Sequence, residues 1–199
     1  MLVLYGGGRS RWVRPLWMLR ELDVPFRTVV VDRDAGDLDA PAFRALNPVG
    51  KIPVLVDGDL VLAESWAMLA YLGDKFPDRG LVPPPATHER AIHDQWMFYL
   101  ATELEPPIWL LHRQTTFGEG GREVRALAET NLARAAAYVE ERLRDRAHLT
   151  GDAFGPPDIV LGHLLTWRVL AAFVEERPTL RTYRDRVTSR PGFPSFLYA

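Results

Sequence analysis

The sequence contains no cysteine among its 199 residues. This absence excludes disulfide bonds, thiolate metal ligands and a nucleophilic cysteine supplied by the protein itself. Any sulfur chemistry therefore has to use a thiol that a ligand brings. The five histidines show no spacing that suits a metal site, so no metal is expected.

Long hydrophobic runs and an excess of one charge are also missing. No apolar run approaches the ~20 residues that a membrane-spanning helix needs. The apolar stretch 1–5 is too short for a signal peptide and has no basic leader. The formal net charge is -2, which gives no overall basic field for nucleic acid or anionic lipid. These features predict a cytoplasmic protein that has neither nucleic acid nor membrane as a partner.

The first third of the chain alternates strand and helix patterns within an ordinary globular composition. Short apolar or β-branched runs predict strands over 2–5, 28–31, 54–56 and 60–62, and the last two flank a hairpin turn, Asp57-Gly58-Asp59. Helical patterns run from near 11–14 to 22 and over 65–76. The order strand–helix–strand–helix–hairpin–helix predicts a mixed sheet with helices packed against it.

After residue 77 the strand pattern disappears. Residues 78–86, with Pro83-Pro84-Pro85, are typical of a stiff linker. Helices are predicted over 88–104, where Pro106-Pro107 should kink or end the helix, along an apolar stripe from Val124 to Leu143, and over 156–174 and 180–189. The sequence thus predicts an α/β domain (1–77), a linker (78–86) and an all-helical domain (87–199).

One segment places a proline directly before the hairpin: Asn47-Pro48-Val49-Gly50-Lys51-Ile52-Pro53-Val54-Leu55. Pro53 restricts Ile52 to extended geometry, and a cis bond here would leave the backbone polar groups of Ile52 free for a ligand. Glu64-Ser65 follows at the start of the next helix, where unpaired amides favour an anion. This combination suits a short extended peptide with a charged end. The alternative is a rigid turn and a plain capping pair, without a ligand.

Motifs along nearly the whole chain resemble those of the cytosolic glutathione transferases. They occur in the family's order: Arg9-Ser10-Arg11 with Trp17, Glu21-Leu22 and Pro25-Phe26; the segment 47–55; Leu62-Ala63-Glu64-Ser65; residues 154–159; and residues 178–193. The resemblance implies a thioredoxin-like N-terminal domain with a mixed four-stranded sheet, followed by an all-α helical-bundle domain that forms the second-substrate site. It also implies a homodimer through the third and fourth helices.

The resemblance further implies that glutathione binds as a co-substrate, with no permanently bound cofactor. The backbone of Ile52, beside Pro53, would pair with the cysteinyl unit as a short antiparallel strand. The Ser65 hydroxyl and amide would take the γ-glutamyl carboxylate, and Glu64 the α-amine. Lys51 either neutralises the glycyl carboxylate or is simply solvated.

The family holds the glutathione sulfur as a thiolate, using a hydroxyl donor near the start of the first helix. Ser10 is the expected donor and Tyr5 the runner-up, with Arg9 or Arg11 placing positive charge near the sulfur. Ser10 also suits a simple N-cap. Gly6-Gly7-Gly8 departs from the common family pattern and leaves the identity of the donor open.

These expectations predict a transferase in which the thiolate attacks a small apolar electrophile. The absence of cysteine argues against the family's thiol-exchange branch. Alternatives are a glutathione-dependent isomerase or peroxidase, and a non-catalytic binding module with the transferase fold. A set of aromatic residues suits either an electrophile pocket or helical core packing: Trp96, Phe98, Tyr99, Trp109 and Phe117.

Overall fold

The computed structural model describes residues 1–198. The chain forms two compact units, one of Met1–Gly80 together with the segment that begins at Arg190, and one of Leu81–Ser189. The boundaries drawn from the sequence assign the C-terminal segment to the helical domain, whereas in the structure it packs with the first unit.

A mixed four-stranded sheet forms the centre of the first unit, in the order β2-β1-β3-β4. Its strands are β1 (Leu2–Gly6), β2 (Phe26–Val30), β3 (Val54–Asp57) and β4 (Leu60–Ala63). β1 pairs with β2 in parallel and with β3 antiparallel, and β3 and β4 form the predicted antiparallel hairpin. The predicted mixed sheet of four strands is confirmed.

Helices cover both faces of this sheet because alternate strand residues point to opposite sides. The helices α1 (Val13–Leu22) and α3 (Ser65–Lys75) pack together. The short helix α2 (Pro41–Leu46) contributes Phe43 to a separate cluster with Val31 and Val54, against which Tyr5 also packs.

The segment from Arg190 onward is held on α1 by charged and aromatic contacts. The Arg190 guanidinium donates to both carboxylate oxygens of Glu21, at 2.9 and 2.7 Å. Glu21 also accepts from the Trp17 indole, whose ring meets Phe193 edge-on at 4.9 Å. Arg20 donates to the Gly192 carbonyl at 2.9 Å. Residues far apart in sequence are thus joined along one helix.

The second unit contains only helices among the elements that the structure describes. They are α4 (His88–Tyr99), α5 (Glu105–Phe117), α6 (Arg122–Leu143), α7 (Pro156–Leu165), α8 (Ala171–Glu175) and α9 (Pro178–Thr188). This confirms the predicted all-helical second domain. Within residues 1–198 no single helix is long and apolar enough to cross a membrane; α7 and 168–175 pass that test only as a pair bent by 73°.

The sequence predicts that Pro106-Pro107 either kinks or ends the helix over 88–104. In the structure the helical path does not end there. A π-helical turn, Leu100–Leu104, joins α4 to α5. Pro106 and Pro107 lie in the first turn of α5, where a backbone N–H has no partner within the helix and its absence costs little. The sequence pattern missed α5 because a proline pair gives no sign that a helix resumes.

The apolar stripe of α6 is confirmed only in part. Ala128, Leu132 and Val139 are buried, but Val124 and Leu127 at the start of the stripe are 40% and 60% exposed. The first turns of α6 therefore project beyond the packed core of the unit.

The predicted single helix over 156–174 is wrong, because α7 ends at Leu165. The Thr166 hydroxyl donates to the His163 carbonyl at 2.6 Å, and Trp167 turns to an extended backbone. A hydroxyl that bonds its own backbone competes with helix continuation. At the other end of α7 the buried Asp158 carboxylate accepts from the Gly155 amide and the Tyr183 hydroxyl. Burial beside this carboxylate raises the pKa of Tyr183 well above its ordinary value.

Candidate active site

Three chain segments meet at one end of the sheet in the first unit. In β1 and β3, Tyr5 is paired with Val54, and in the hairpin Val54 is paired with Ala63. Continuing both registers by one residue places Pro53 between Gly6 and Glu64. The glycine loop, the proline corner and the start of α3 are therefore neighbours at this edge.

The proline corner leaves one stretch of backbone without an internal partner. The Ile52–Pro53 peptide bond is cis. In the part of the chain that the structure describes, neither the N–H nor the C=O of Ile52 forms a hydrogen bond. Ile52 is half-buried, so its backbone offers a donor and an acceptor at an accessible edge. That pair suits the backbone of an extended peptide.

The loop before Pro53 is fixed by Asn47 and Arg44. The buried Asn47 amide donates to the Lys51 carbonyl at 2.7 Å, and its oxygen accepts from the Val49 amide at 3.2 Å. Arg44 donates to the Pro48 carbonyl at 2.7 Å and pairs with Asp39. Sequence reasoning did not assign Arg44 a role, because it lies before the motif on α2.

Gly50 is required where this loop crosses the Arg44 side chain. Its φ is +66°, and a Cβ there would lie 2.4 Å from the Arg44 guanidinium carbon. An L side chain disfavours this φ, and the close approach leaves no room for one. The adjacent Lys51 is exposed, and among the residues that the structure describes its ammonium forms no hydrogen bond or ion pair.

Glu64 and Ser65 stand at the start of α3 with unusual backbone geometry. Glu64 is the N-cap residue with φ 67°, and its side chain forms no cap hydrogen bond. Its carboxylate is exposed, whereas Ser65 is 2% exposed. The first amides of a helix have no partner within it and carry the positive end of the helix dipole. This end of α3 is a suitable place for a carboxylate.

A buried arginine lies behind Ser65. Arg14, on α1, is 0% exposed, and its Nη1 donates to the Ser65 hydroxyl oxygen at 3.4 Å. The guanidinium carbon lies 5.1 Å from the centroid of the Trp66 ring. Sequence reasoning missed this residue. The available signal was a charged residue within the apolar face of α1, between Val13 and Leu16.

Ser10 forms its hydrogen bonds within the glycine loop. Its hydroxyl donates to the Gly7 carbonyl at 3.0 Å and accepts a long bond, 3.5 Å, from the Trp12 amide. The Trp12 indole donates to the Gly8 carbonyl at 2.6 Å. A Cβ on Gly6 would lie 2.5 Å from the Cβ of Trp12, so glycine permits this close packing. Ser10 thus stabilises the turn that leads into α1.

Tyr5 and Arg9, which were also expected near the sulfur atom, contact other parts of the first unit. Tyr5 is half-buried against the cluster beneath α2. The Arg9 Nε donates to the Leu197 carbonyl at 3.0 Å, and its guanidinium carbon lies 4.9 Å from the Tyr198 ring centroid. Arg9 therefore joins the glycine loop to the C-terminal segment.

The aromatic residues of the second unit divide into two groups. Trp96 is buried and stacks on Tyr138, with Tyr99 edge-on to both. Trp109 stacks on His112 at 5.3 Å, and Trp167 meets both rings edge-on. Of the remaining expected residues, Phe98 is 70% exposed and Phe117 52% exposed.

Comparisons with known proteins cover both units. The family described as glutathione S-transferase, N-terminal domain, matches residues 12–75, and glutathione S-transferase, C-terminal domain, matches residues 88–191. Glutathione S-transferase F10 of Arabidopsis thaliana is 31% identical over 205 residues, which covers 97% of this chain and 94% of the relative.

Solved structures of glutathione transferases align with this chain over nearly its full length. A glutathione transferase from Methylococcus capsulatus aligns with a TM-score of 0.86 at 27% identity, covering 100% of this chain and 98% of that one. A glutathione transferase homologue from Sulfitobacter, solved with bound glutathione, aligns with a TM-score of 0.80 at 25% identity, covering 98% and 96%.

Proposed function

Because the chain belongs to the glutathione S-transferase family, we propose that it binds glutathione and holds its thiol as a thiolate for attack on a small apolar electrophile. The observation that carries this proposal is the pairing of two features at one sheet edge. The backbone of Ile52 has no partner among the described residues, and beside it α3 begins with no side-chain cap.

The two features match the two kinds of group along glutathione. The N–H and C=O of Ile52 pair with the cysteinyl backbone, in the corner formed with Pro53. The Ser65 hydroxyl and the first amides of α3 donate hydrogen bonds to the γ-glutamyl carboxylate, and the exposed Glu64 carboxylate accepts hydrogen bonds from the α-amine. The exposed ammonium of Lys51, in the loop before Pro53, pairs with the glycyl carboxylate. The glutathione bound in the Sulfitobacter homologue supports a tripeptide ligand for this fold.

When the cysteinyl backbone pairs with Ile52, the cysteinyl sulfur points toward the neighbouring glycine loop. A thiol with a pKa near 8.5 is mostly protonated at neutral pH, and a hydrogen-bond donor together with positive charge lowers that value. Ser10 is the proposed donor, with Tyr5 as the runner-up. To act, the Ser10 hydroxyl must turn from the Gly7 carbonyl to the sulfur. The thiol proton leaves to solvent, and the sulfur forms a bond to carbon as the electrophile's leaving group departs with its electron pair.

One observation favours a second candidate, a non-catalytic glutathione-binding module. The Ser10 hydroxyl already donates within its own loop, so a ligand thiolate must compete with a formed hydrogen bond. Isomerisation and peroxide reduction start from the same activated thiol. They differ from substitution in the second substrate and in the fate of the sulfur, which an isomerisation returns unchanged and a hydroperoxide oxidises, so that two glutathione molecules leave as the disulfide. A homodimer through the third and fourth helices stays a prediction.

Calorimetry followed by a substrate panel tests the proposal. Glutathione should bind at micromolar to millimolar concentration, and Glu64→Ala should weaken binding more than it lowers turnover, because it removes a contact that both ground and transition states share. Haloaromatic electrophiles, organic hydroperoxides and cis-enoic acids should then be compared as second substrates. No heat of binding at millimolar glutathione would contradict every catalytic version of the proposal, while binding without turnover would favour the binding module.

A further inference from the structure

One edge of the sheet in the first unit is a strand with a free side. β2 lies at the end of the strand order, and among the described residues it pairs only with β1. The Val31 amide donates to the Gly6 carbonyl at 3.0 Å. Because successive residues of a strand direct their backbone groups to opposite sides, the odd-numbered residues of β2 face β1. Phe26, Thr28 and Val30 therefore direct their N–H and C=O groups away from the sheet.

These outward groups are available to another strand. Within residues 1–198 the outward N–H and C=O groups of the three residues form no hydrogen bond. The side chains on this edge are also uncovered, since Thr28 is exposed and Val30 is 71% exposed. A row of unpaired donors and acceptors beside an exposed apolar side chain is a template for strand addition.

The strand is complementary to itself. Its sequence is Phe-Arg-Thr-Val-Val, and two copies that run antiparallel about Thr28 place Thr28 opposite Thr28 and Phe26 opposite Val30. Thr–Thr pairs and pairs of an aromatic with a β-branched residue are favourable across strands. The facing residues are the ones whose backbone groups point outward, so each facing pair exchanges two hydrogen bonds.

Charges just beyond the strand favour the same antiparallel arrangement. Asp23 and Arg33 lie at equal distances along the chain from Thr28, one on either side, and both are exposed. Neither side chain forms an ion pair within the part of the chain that the structure describes. An antiparallel pair brings Arg33 of each copy toward Asp23 of the other, whereas a parallel pair would place like charges together.

We propose that β2 is an interaction surface for a second copy of this chain, which adds its own β2 antiparallel about Thr28 and continues the sheet across both molecules. Two five-residue strands bury much less than the ~1,200–2,000 Å² of a stable interface, so the contact is weak and forms at high protein concentration. It uses none of the surface of α3 and α4, through which the homodimer is predicted, and it does not depend on glutathione.

Register-specific cross-linking tests this pairing, because the chain has no cysteine of its own. In Thr28→Cys the two thiols face each other, at a Cα separation of about 5.5 Å that suits a disulfide. Arg27→Cys is the matched control at the neighbouring exposed position. The same pairing separates its two Cα atoms by about 7–8 Å, which a disulfide does not bridge without backbone movement. With copper–phenanthroline and air as oxidant, Thr28→Cys should form the linked dimer roughly tenfold faster than Arg27→Cys.

Sedimentation equilibrium of the full-length protein, up to millimolar concentration, measures the association without a covalent link. Thr28→Pro removes an outward N–H and leaves the bonds to β1 in place, so association through this edge should be lost. Thr28→Val keeps the N–H and a β-branched side chain, and it should associate as the unaltered protein does. Val30→Lys, which places a charge opposite Phe26 of the second copy, replaces Thr28→Pro should that variant fail to fold.

Equal cross-linking rates for Thr28→Cys and Arg27→Cys would overturn the proposal. So would an unaltered protein that associates no further than a folded Thr28→Pro or Val30→Lys does. Association through the third and fourth helices would appear in every variant alike, so only the difference between the variants reports on β2.

Discussion

Two serines at the starts of two helices in the first unit have opposite hydrogen-bonding arrangements. Ser65, at the start of α3, accepts from Arg14, which lies 51 positions earlier in the chain. Ser10, before α1, donates to Gly7, only three positions earlier. The hydroxyl hydrogen of Ser65 is available to a ligand, whereas that of Ser10 is already used inside its own loop.

The difference separates the binding part of the site from the reactive part. The binding part is assembled by tertiary contacts, because the Ile52 backbone, α3 and Arg14 come from different segments. The reactive part depends on a short glycine loop whose geometry is set mainly by its own residues. We therefore expect affinity and thiol activation to respond to different substitutions, even though both serines lie at one end of the sheet.

The largest expected effect comes from Ser65→Ala. This change removes the hydroxyl proposed to donate to the γ-glutamyl carboxylate, and it also removes the oxygen that accepts the hydrogen bond from Arg14. A hydrogen bond to a charged group contributes about 1.5–3 kcal/mol, so glutathione affinity should fall roughly tenfold to hundredfold. Calorimetry gives the affinity, and ultraviolet titration of the thiolate gives the pKa of the bound thiol, which should stay as in the unaltered protein.

Ser10→Ala is the reciprocal control for Ser65→Ala, because it makes the same chemical change at the other helix start. If Ser65→Ala raised the pKa of the bound thiol while leaving affinity intact, the division between the two parts of the site would be wrong.

A smaller effect is expected for Ser10→Ala itself. If Ser10 donates to the sulfur, the pKa of the bound thiol should rise by about one unit, which corresponds to ~1.4 kcal/mol. Because a raised thiol pKa means less thiolate at neutral pH, turnover should fall there and recover as the pH rises. Affinity for glutathione should change little. The measurements are thiolate absorbance and turnover, both as functions of pH.

Ser189→Ala is a matched control for this change. The Ser189 hydroxyl donates to the Arg186 carbonyl three positions earlier, as Ser10 does to Gly7, but it lies in the second unit at the end of α9. Both variants should lose a similar amount of folding free energy, and only Ser10→Ala should alter the thiol titration. An unaltered titration in Ser10→Ala would transfer the donor role to Tyr5 or to backbone amides.

The sequence predicted the parts of this site that local motifs encode. Pro53 and Ser65 belong to short motifs with a strong positional pattern, and the hairpin follows from Asp57-Gly58-Asp59. Arg14 was not assigned, because one arginine on a helix is usually solvated, and its burial depends on Ser65 and Trp66, far along the chain. The π-helical turn before α5 and the break after Leu165 were missed for a similar reason, since packing and side-chain bonds decide them.

The smallest effect is expected for Arg9→Met. This change tests whether the geometry of the glycine loop is independent of the C-terminal segment. Arg9, next to Ser10, is exposed and bonds the Leu197 carbonyl and the Tyr198 ring. Exposed contacts of this kind contribute about 0.5–1 kcal/mol each, so Arg9→Met should lower the free energy of unfolding slightly. The bound thiol's pKa should rise by less than in Ser10→Ala, because only a solvated charge is lost, and glutathione affinity should be unchanged. Arg27→Met, at an exposed arginine on β2, controls for net charge. A thiol pKa shift as large as that of Ser10→Ala would instead mean that the C-terminal segment, through Arg9, sets the geometry of the loop.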